Sequence, residues 1–296
     1  MSEIVRVYAG FDGTYNHMEN DLEIGDGSET NIAKLRELYE KQGYKALYQE
    51  GSGTVDLTDE QIDLVKSGLA SKTEFYNREG GMFGTGETGV QNQVTKMIDK
   101  ISPFIENIDN DQVIHIDIAG FSRGAAAARD FINQMHSQYD EKIASGKVVL
   151  DNVILYDAVA SIGFANSVNI GIDLELSATS ANNIYHFTAL NEERSNFPLE
   201  SLQDENGHLP VNIFEQALWG VHADLGAGYG LNDSVEKLLI ESGQFSVLPG
   251  DVNARKNELI EEALAQGLQV EFTLLDVGQF SGIERFTYDF YETRDV

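Results

Sequence analysis

The sequence contains no cysteine, and it has no uninterrupted apolar stretch approaching the roughly 18 residues of a membrane-spanning helix. The first absence excludes disulfide bonds, thiolate metal ligands and a cysteine nucleophile. The second excludes a transmembrane span. The N-terminus, MSEIVRVYAGFDG, also lacks the basic segment and apolar run of a signal peptide. We therefore expect synthesis in the cytoplasm, and any secretion to follow a route without a cleaved signal peptide.

Basic residues are scarce: 20 lysines and arginines stand against 49 aspartates and glutamates, which gives a net charge of −29. A protein that binds nucleic acid needs a basic surface for the phosphates, so nucleic acid is excluded as a partner. The same charge repels anionic membranes, so we expect at most transient membrane contact. The acidic residues are spread along the chain, which is typical of a surface that keeps a globular protein soluble.

Strand-like and helix-like segments alternate through the first two-thirds of the sequence. This alternation predicts an α/β fold of the α/β-hydrolase type, with a mostly parallel sheet and helices on both faces. We expect a single domain over residues 1–296, with residues 54–80 as an insertion. Predicted strands cover residues 4–9, 45–49, 113–119, 153–156, 184–190, the segment before Trp219, and a last strand at 270–275. Predicted helices cover residues 31–42 with Thr30 as N-cap, a short segment after the capping-box pair Thr58 and Gln61, 90–101, 125–136 and 258–266.

The most informative segment is VIHIDIAGFSRGAAAARDF, in which a β-rich run meets GFSRG and continues into an alanine-rich helix. A G-x-S-x-G motif needs this context of strand, sharp turn and helix, and it predicts Ser122 as a nucleophile. Two glycines are required because a Cβ two residues on either side would collide with a neighbouring strand or helix. The helix N-terminus faces the serine, so the backbone N–H of Arg123 is a candidate oxyanion donor.

A serine nucleophile needs a histidine base, and the sequence offers six candidates. His222 is favoured because ALWGVHADLGAGYG brings an apolar segment into a glycine-rich loop at the sheet edge. It also fits the order of nucleophile, acid and histidine in this fold. His186 is the alternative. The remaining four are His17, His115, His136 and His208, none of which has a sequence context that would position it beside the serine.

The acid of a triad should end a strand that follows the nucleophile. Asp157 does so in VILYDAVAS, where a buried carboxylate would orient the histidine ring and stabilise the imidazolium. Asp224 is the alternative, although its position two residues after His222 is also typical of a residue that fixes a loop.

Two further motifs resemble ligand-binding sequences, but we do not expect either to bind a ligand. GTGETG at residues 84–89 matches a dinucleotide fingerprint, but the segment before it is not a convincing strand. The acidic cluster at residues 21–29 lacks the spacing of an EF-hand and reads as a solvated loop. We therefore expect neither a cofactor nor a metal ion.

Six segments occur along the chain in a recognisable order: FDGTYN, TNIAKL, GFSRGAAAAR, LYDAVASIG, HFTALNEER and WGVHADLGAGY. Together they resemble the catalytic domain of the α/β-hydrolase family that includes the phospholipase effectors of bacterial type VI secretion systems and many uncharacterised relatives. The matching segments lie between residues 7 and 230. The set is far more specific than any one of its members.

The resemblance implies a Ser–Asp–His triad, whose members fall on Ser122, Asp157 and His222. It also implies that the FDGT turn lies beside the nucleophile, where the backbone of Gly13 or Thr14 would supply the second oxyanion donor. Asp12 in the same turn either fixes the turn or takes part in catalysis.

Three positions depart from the pattern of this family. Tyr156 stands where the family has tryptophan, Asn191 stands in place of an aspartate, and GVHADLGAGY replaces GVHSDVGGGY. None of these differences removes a triad atom. The chain also has little room for the large extra segments with which lipase effectors dock on membranes.

These residues predict a serine esterase or lipase that cleaves carboxylic ester bonds of phospholipids or other acyl lipids through an acyl-enzyme. As a secretion effector it would have an immunity protein or a component of the secretion machinery as a partner. Two alternatives stay open. One is an esterase acting on a small soluble ester, and the other is a non-catalytic interaction module that retains the fold.

Overall fold

The structure is a computed structural model. It describes residues 3–77, 80, 86–160, 171–192, 194, 198–228, 235–247, 251–265, 269–277 and 284–295. The chain divides into two compact units, Met1–Gly230 and Leu231–Val296. This differs from the single domain expected over residues 1–296, because the C-terminal residues build a separate sheet with a helix of their own.

The first unit is built on a six-stranded, all-parallel sheet in the order β2-β1-β3-β4-β5-β6. The strands are β1 (Glu3–Phe11), β2 (Lys45–Gln49), β3 (Gln112–Phe121), β4 (Val148–Tyr156), β5 (Asn183–Ala189) and β6 (Ile213–Leu218). The helices are α1 (Met18–Ile24), α2 (Asn31–Lys41), α3 (Asp59–Lys66), α4 (Val90–Glu106), α5 (Arg123–Ala144) and α6 (His222–Gly226), with a 3₁₀ turn at Lys72–Glu74. The predicted α/β class with a mostly parallel sheet is confirmed.

Helices cover both faces of this sheet, because alternate residues of its central strands are buried on opposite sides. On one face, α4 and α5 pack against residues such as Val7, Ile116 and Ile118. On the other face, Ile32 of α2 packs against Tyr8 and the adjacent strands. The four alanines near the start of α5, residues 125–128, are fully buried, which lets this helix approach the sheet closely, as the sequence predicts.

The predicted insertion at residues 54–80 contains α3, and its capping box between Thr58 and Gln61 is present. A partly buried ion pair joins the insertion to α1, with Lys72 Nζ 2.6 Å from Asp21 Oδ1. The acidic cluster at residues 21–29 was expected to be a loop, but its first residues belong to helix α1. Helix α4 begins directly after the GTGETG motif, whose first two residues lie outside the described residues.

The second unit is a three-stranded antiparallel sheet in the order β7-β9-β8, with one helix. Its elements are β7 (Val235–Val247), α7 (Val252–Ala265), β8 (Gln269–Val277) and β9 (Glu284–Asp295). Leu259 and Ala263 of α7 are buried and pack with Phe272 and Tyr288. The helix and strand predicted at residues 258–266 and 270–275 fall on α7 and β8. The strand at 270–275 is not the last one, however, because β9 follows it.

In the part of the chain that the structure describes, no helix has both the length and the apolar composition needed to cross a bilayer.

The parallel sheet makes a direct prediction about stability. Ile116 is fully buried in β3, whereas 57% of Ile4 in β1 is exposed. Replacing Ile116 with alanine should lower the free energy of unfolding by about 2–5 kcal/mol, since it removes buried methyl groups and leaves a cavity. Ile4→Ala is the matched control and should cost less than about 1 kcal/mol. Urea denaturation measures both, and equal losses would contradict the assigned core.

Candidate active site

The candidate site lies at the carboxyl ends of β1 and β3. The order of the sheet reverses there, because β2 lies on one side of β1 while β3 and all later strands lie on the other. Ligands of open parallel sheets bind in the crevice at such a switch point. Two segments leave the sheet at this crevice: the turn that starts at Asp12 after β1, and Ser122 after β3.

Ser122 occupies the sharp turn between β3 and α5. Its backbone has φ 58° and ψ −126°, a conformation that is costly for a residue with a side chain. Neighbouring groups hold it there: its N–H donates to Tyr156 O at 3.0 Å, and its carbonyl accepts from Ala125 N–H at 3.0 Å. The residue is 4% exposed. The structure thus confirms the strained strand-to-helix turn that the sequence predicts.

The two glycines of GFSRG are needed for the predicted steric reason. A Cβ on Gly120 would lie 2.6 Å from the Cα of Ala125, inside the following helix. A Cβ on Gly124 would lie 2.3 Å from the carbonyl oxygen of Phe11, at the end of β1. Close packing of helix and strands therefore requires glycine at both positions.

Asp157 directly follows β4, the neighbour of β3, and Tyr156 pairs in register with Phe121. Its carboxylate is buried and has two partners. Oδ1 accepts from the backbone N–H of Ala189 at 2.8 Å, and Oδ2 lies 2.6 Å from Nδ1 of His222. The predicted acid and histidine are therefore in direct contact, although 65 positions separate them in the sequence.

His222 is the first residue of α6, where a glycine-rich loop was expected from the sequence. The residue is 5% exposed, and its ring centroid lies 4.7 Å from that of Phe121, the residue before Ser122. Because an ionised Asp157 only accepts hydrogen bonds, the ring proton belongs on Nδ1. Trp219, the only tryptophan of the sequence, precedes His222 by three residues and is 82% exposed.

A loop that the sequence reasoning did not assign to the site anchors the segment before α6. Asn191 and Gly220 exchange backbone and side-chain hydrogen bonds, both at 3.0 Å. Glu192 accepts from the backbone N–H of His222 at 3.2 Å. Hydrogen bonds from Arg194 lower the pKa of Glu192 to about 2, so its carboxylate is ionised. The resemblance marks Asn191 only as a departure, and no spacing in the sequence indicates Glu192.

The alternative candidates are held by other partners. Asp224 Oδ2 accepts from the N–H of Val221 at 2.6 Å, so this residue fixes the loop. Both ring nitrogens of His186 are within hydrogen-bond distance of groups other than the predicted triad residues, Glu215 and the N–H of Ala158. The other histidines also contact groups other than the predicted triad residues: Asn20 for His17, Asp151 for His115, Ser180 for His136 and Asp204 for His208.

Contacts in the turn after β1 distinguish the two backbone candidates for the second oxyanion donor, Gly13 and Thr14. The N–H of Gly13 donates to Asp12 Oδ1 at 2.7 Å. This N–H already has an acceptor, so the expectation that Gly13 is the second oxyanion donor is not supported. Among the described residues, no acceptor is within hydrogen-bond distance of the Thr14 N–H. The Thr14 hydroxyl accepts from the guanidinium of Arg123 at 3.3 Å and lies 3.0 Å from Ser52 Oγ. These contacts join the turn to the first residue of α5, which favours Thr14.

Asp12 is a buried carboxylate directly behind this turn. Besides the N–H of Gly13, its oxygens accept from Tyr48 at 2.6 Å and from Thr30 at 2.8 Å. Burial raises the pKa of Asp12 to about 6, although these donors act in the opposite direction. Its contacts are those of a residue that fixes the turn, the first of the two roles considered for it.

The site has no cation-binding cluster in the ranges described, where no group of three or more histidine, aspartate or glutamate side chains is arranged to hold a metal ion.

No protein-family model matches the chain, and no curated protein is significantly similar to it. The solved structures include a similar one, an uncharacterised protein from Pseudomonas aeruginosa. That protein is 18% identical, with a TM-score of 0.48. The similarity covers 79% of this chain and 43% of the other, so the chain spans less than half the length of that protein.

Ala227 yields a prediction about strain beside the site. It has φ 60° and ψ −155°, a region that essentially only glycine adopts without cost. Ala227→Gly should therefore raise the free energy of unfolding by about 1 kcal/mol, after allowance for the greater flexibility of glycine in the unfolded chain.

The matched control is Ala223→Gly within α6, which should lower the same quantity by about 0.5–1 kcal/mol because the residue is helical. Urea denaturation of both variants decides the matter. If Ala227→Gly is destabilised like Ala223→Gly, the backbone at residue 227 is not strained.

Asp12 predicts a specific dependence of stability on pH. Because the folded protein binds this proton more tightly than the unfolded chain, stability is present below pH 4 and is lost as the pH rises through about 6. A difference of roughly two pKa units corresponds to about 3 kcal/mol. Asp12→Asn, which carries no charge, should gain about this much relative to the wild type between pH 4 and pH 7.

Unfolding free energies measured in urea at each pH test this difference. Subtracting the unfolding free energy of the variant from that of the wild type cancels the pH dependence contributed by the other carboxylates. Parallel curves for the two proteins over this range would show that the Asp12 pKa is not raised.

Proposed function

We propose that the chain is a serine hydrolase that cleaves carboxylic esters by way of an acyl-enzyme. The observation that carries the proposal is the contact of His222 Nδ1 with Asp157 Oδ2 at 2.6 Å, beside a serine held at positive φ in a strand-to-helix turn. A buried carboxylate, an oriented imidazole and a strained serine form the arrangement from which acyl transfer by serine is built.

In this mechanism Ser122 Oγ attacks the carbonyl carbon of the ester, and His222 Nε2 takes the hydroxyl proton. The proton on Nδ1 remains hydrogen-bonded to Asp157, whose negative charge stabilises the imidazolium. Burial of both groups strengthens this interaction, since little water screens it. The packing of the ring against Phe121 keeps the imidazole beside the nucleophile strand.

The negative charge that develops on the carbonyl oxygen needs donors that are already in place. Arg123 supplies one backbone N–H from the first residue of α5, where the helix dipole also favours negative charge. Thr14 supplies the second from the turn after β1. His222 then returns its proton to the leaving alcohol, and a water molecule activated by the same ring hydrolyses the acyl-enzyme.

The proposed substrates are phospholipids or other acyl lipids, as the resemblance implies. The net charge of −29 favours neutral or zwitterionic lipid over an anionic surface, because like charges repel. The same charge favours a small soluble ester as the second candidate. The non-catalytic module is the weaker alternative, because Ser122, Asp157 and His222 are all retained.

Ser122→Ala should abolish labelling by a fluorophosphonate probe and lower ester turnover by about ten-thousandfold or more, since the attacking oxygen is lost. Ser145→Ala is the matched control, because this exposed serine caps the other end of α5 and should leave both readouts unchanged. Equal turnover by Ser122→Ala would reject the nucleophile, and a wild-type protein that neither labels nor hydrolyses esters would favour the interaction module.

The substrate class is tested with the wild type on short-chain and long-chain nitrophenyl esters and on vesicles of zwitterionic or anionic phospholipid. Release of fatty acid from zwitterionic vesicles supports the lipase. Turnover confined to short soluble esters supports the second candidate instead.

A further inference from the structure

A second histidine–carboxylate pair lies next to the triad. His186 of β5 is fully buried, and its Nδ1 lies 2.9 Å from Glu215 Oε2 on β6. Neither side chain belongs to the proposed triad. A buried titratable pair is costly unless each of its atoms is satisfied, so its partners indicate what it does.

The partners of the His186 ring determine its protonation. Nε2 accepts a hydrogen bond from the backbone N–H of Ala158 at 3.1 Å, so this nitrogen has a lone pair and no proton. The single ring proton is therefore on Nδ1, from which it is donated to Glu215. The contacts fix which ring nitrogen donates and which accepts, and so one of the two tautomers.

Glu215 is held as an acceptor by donors on a neighbouring loop. The hydroxyl of Ser201 donates at 2.6 Å, the N–H of Leu202 at 2.7 Å and the amide of Gln203 at 3.1 Å. Burial favours the protonated acid, but the hydrogen bonds from His186, Ser201 and Leu202 outweigh it and lower the pKa of Glu215. An ionised carboxylate can only accept, so it keeps the proton of His186 on Nδ1.

The N–H that His186 accepts belongs to the residue directly after the triad acid. Asp157 has a positive φ of 42°, which is unfavourable for a residue with a side chain. Such a conformation persists only when the surroundings determine it. The N–H of Asp157 itself donates to Phe187 O at 2.7 Å, so two successive residues of β5 fix the backbone of the acid.

We propose that His186 is a positioning residue, whose Glu215-fixed tautomer holds the Asp157–Ala158 backbone so that the Asp157 carboxylate meets His222. The proposal rests on the proposed function for its effect on turnover. The role differs from that of the triad histidine, because His186 acts as a hydrogen-bond acceptor and transfers no proton.

Glu215→Gln tests the tautomer with little change in volume. The amide can donate to Nδ1, so the ring proton can move to Nε2, where it opposes the N–H of Ala158. We expect kcat to fall by about tenfold with KM nearly unchanged, which corresponds to the loss of one buried hydrogen bond. His186→Gln keeps one acceptor and one donor and cannot change tautomer. Adding Glu215→Gln to this background should therefore have an effect of less than about twofold.

Ring-nitrogen NMR provides a readout that does not depend on ester turnover. Long-range proton–nitrogen spectra should show His186 neutral with its proton on Nδ1 in the wild type, and with proton density on Nε2 in Glu215→Gln. The downfield resonance of the His222 Nδ1 proton should shift in Glu215→Gln and return toward the wild-type position in the double variant. His186→Gln and Asp157→Asn assign the two rings.

A wild-type His186 with its proton on Nε2, or on both nitrogens, would overturn the proposal. So would a His186 proton that stays on Nδ1 in Glu215→Gln, because Glu215 would then not fix the tautomer. An unshifted His222 resonance once that proton has moved to Nε2 would overturn it as well, because a merely structural pair would change unfolding without changing the triad. If Ser122→Ala turns over esters like the wild type, the proposed function fails, while the two resonances still decide whether His186 positions Asp157.

Discussion

The hydrogen bond between Asp157 and His222 joins the end of β4 to the segment after β6, with β5 between them. Its length of 2.6 Å depends on every element that places these two side chains. Asp157 is fixed through the backbone of β5, and His222 through Phe121 and the Asn191–Glu192 loop. Ser122 belongs to the same arrangement, since its N–H bonds to the carbonyl of the residue before Asp157. The site is therefore a property of four neighbouring strands.

Burial of negative charge recurs around this bond in a protein that is strongly acidic overall. Asp12 and Asp157 are each almost inaccessible to solvent, and both are surrounded by hydrogen-bond donors. The balance differs between Asp12 and Glu215. Burial dominates at Asp12 and raises its pKa, whereas Glu215 is less deeply buried and its hydrogen bonds lower its pKa. Burial and the surrounding donors together set the pKa of each acid.

Local context, chain order and the resemblance were sufficient to predict the parallel sheet, the strained turn at Ser122 and the contact between Asp157 and His222. The hydrogen bond that the Gly13 N–H makes was not predictable, since it depends on the rotamer of Asp12. The role of Glu192 was hidden for a similar reason: its partner is the backbone of a segment far along the chain. Strand β9 was missed although Phe286, Tyr288 and Phe290 alternate in the sequence, a pattern typical of strands. The expected glycine-rich loop is helical at His222–Gly226, a segment in which only the last residue is glycine.

The exposed indole of Trp219 has a practical consequence. Because the sequence contains a single tryptophan, all indole fluorescence of the protein originates three residues before His222. Indole emission shifts to shorter wavelength when water is replaced by apolar surroundings, and 82% of this side chain now faces solvent. The protein therefore carries a native optical reporter at this end of the sheet, which would record the arrival of an acyl chain, a bilayer or another protein without any added label.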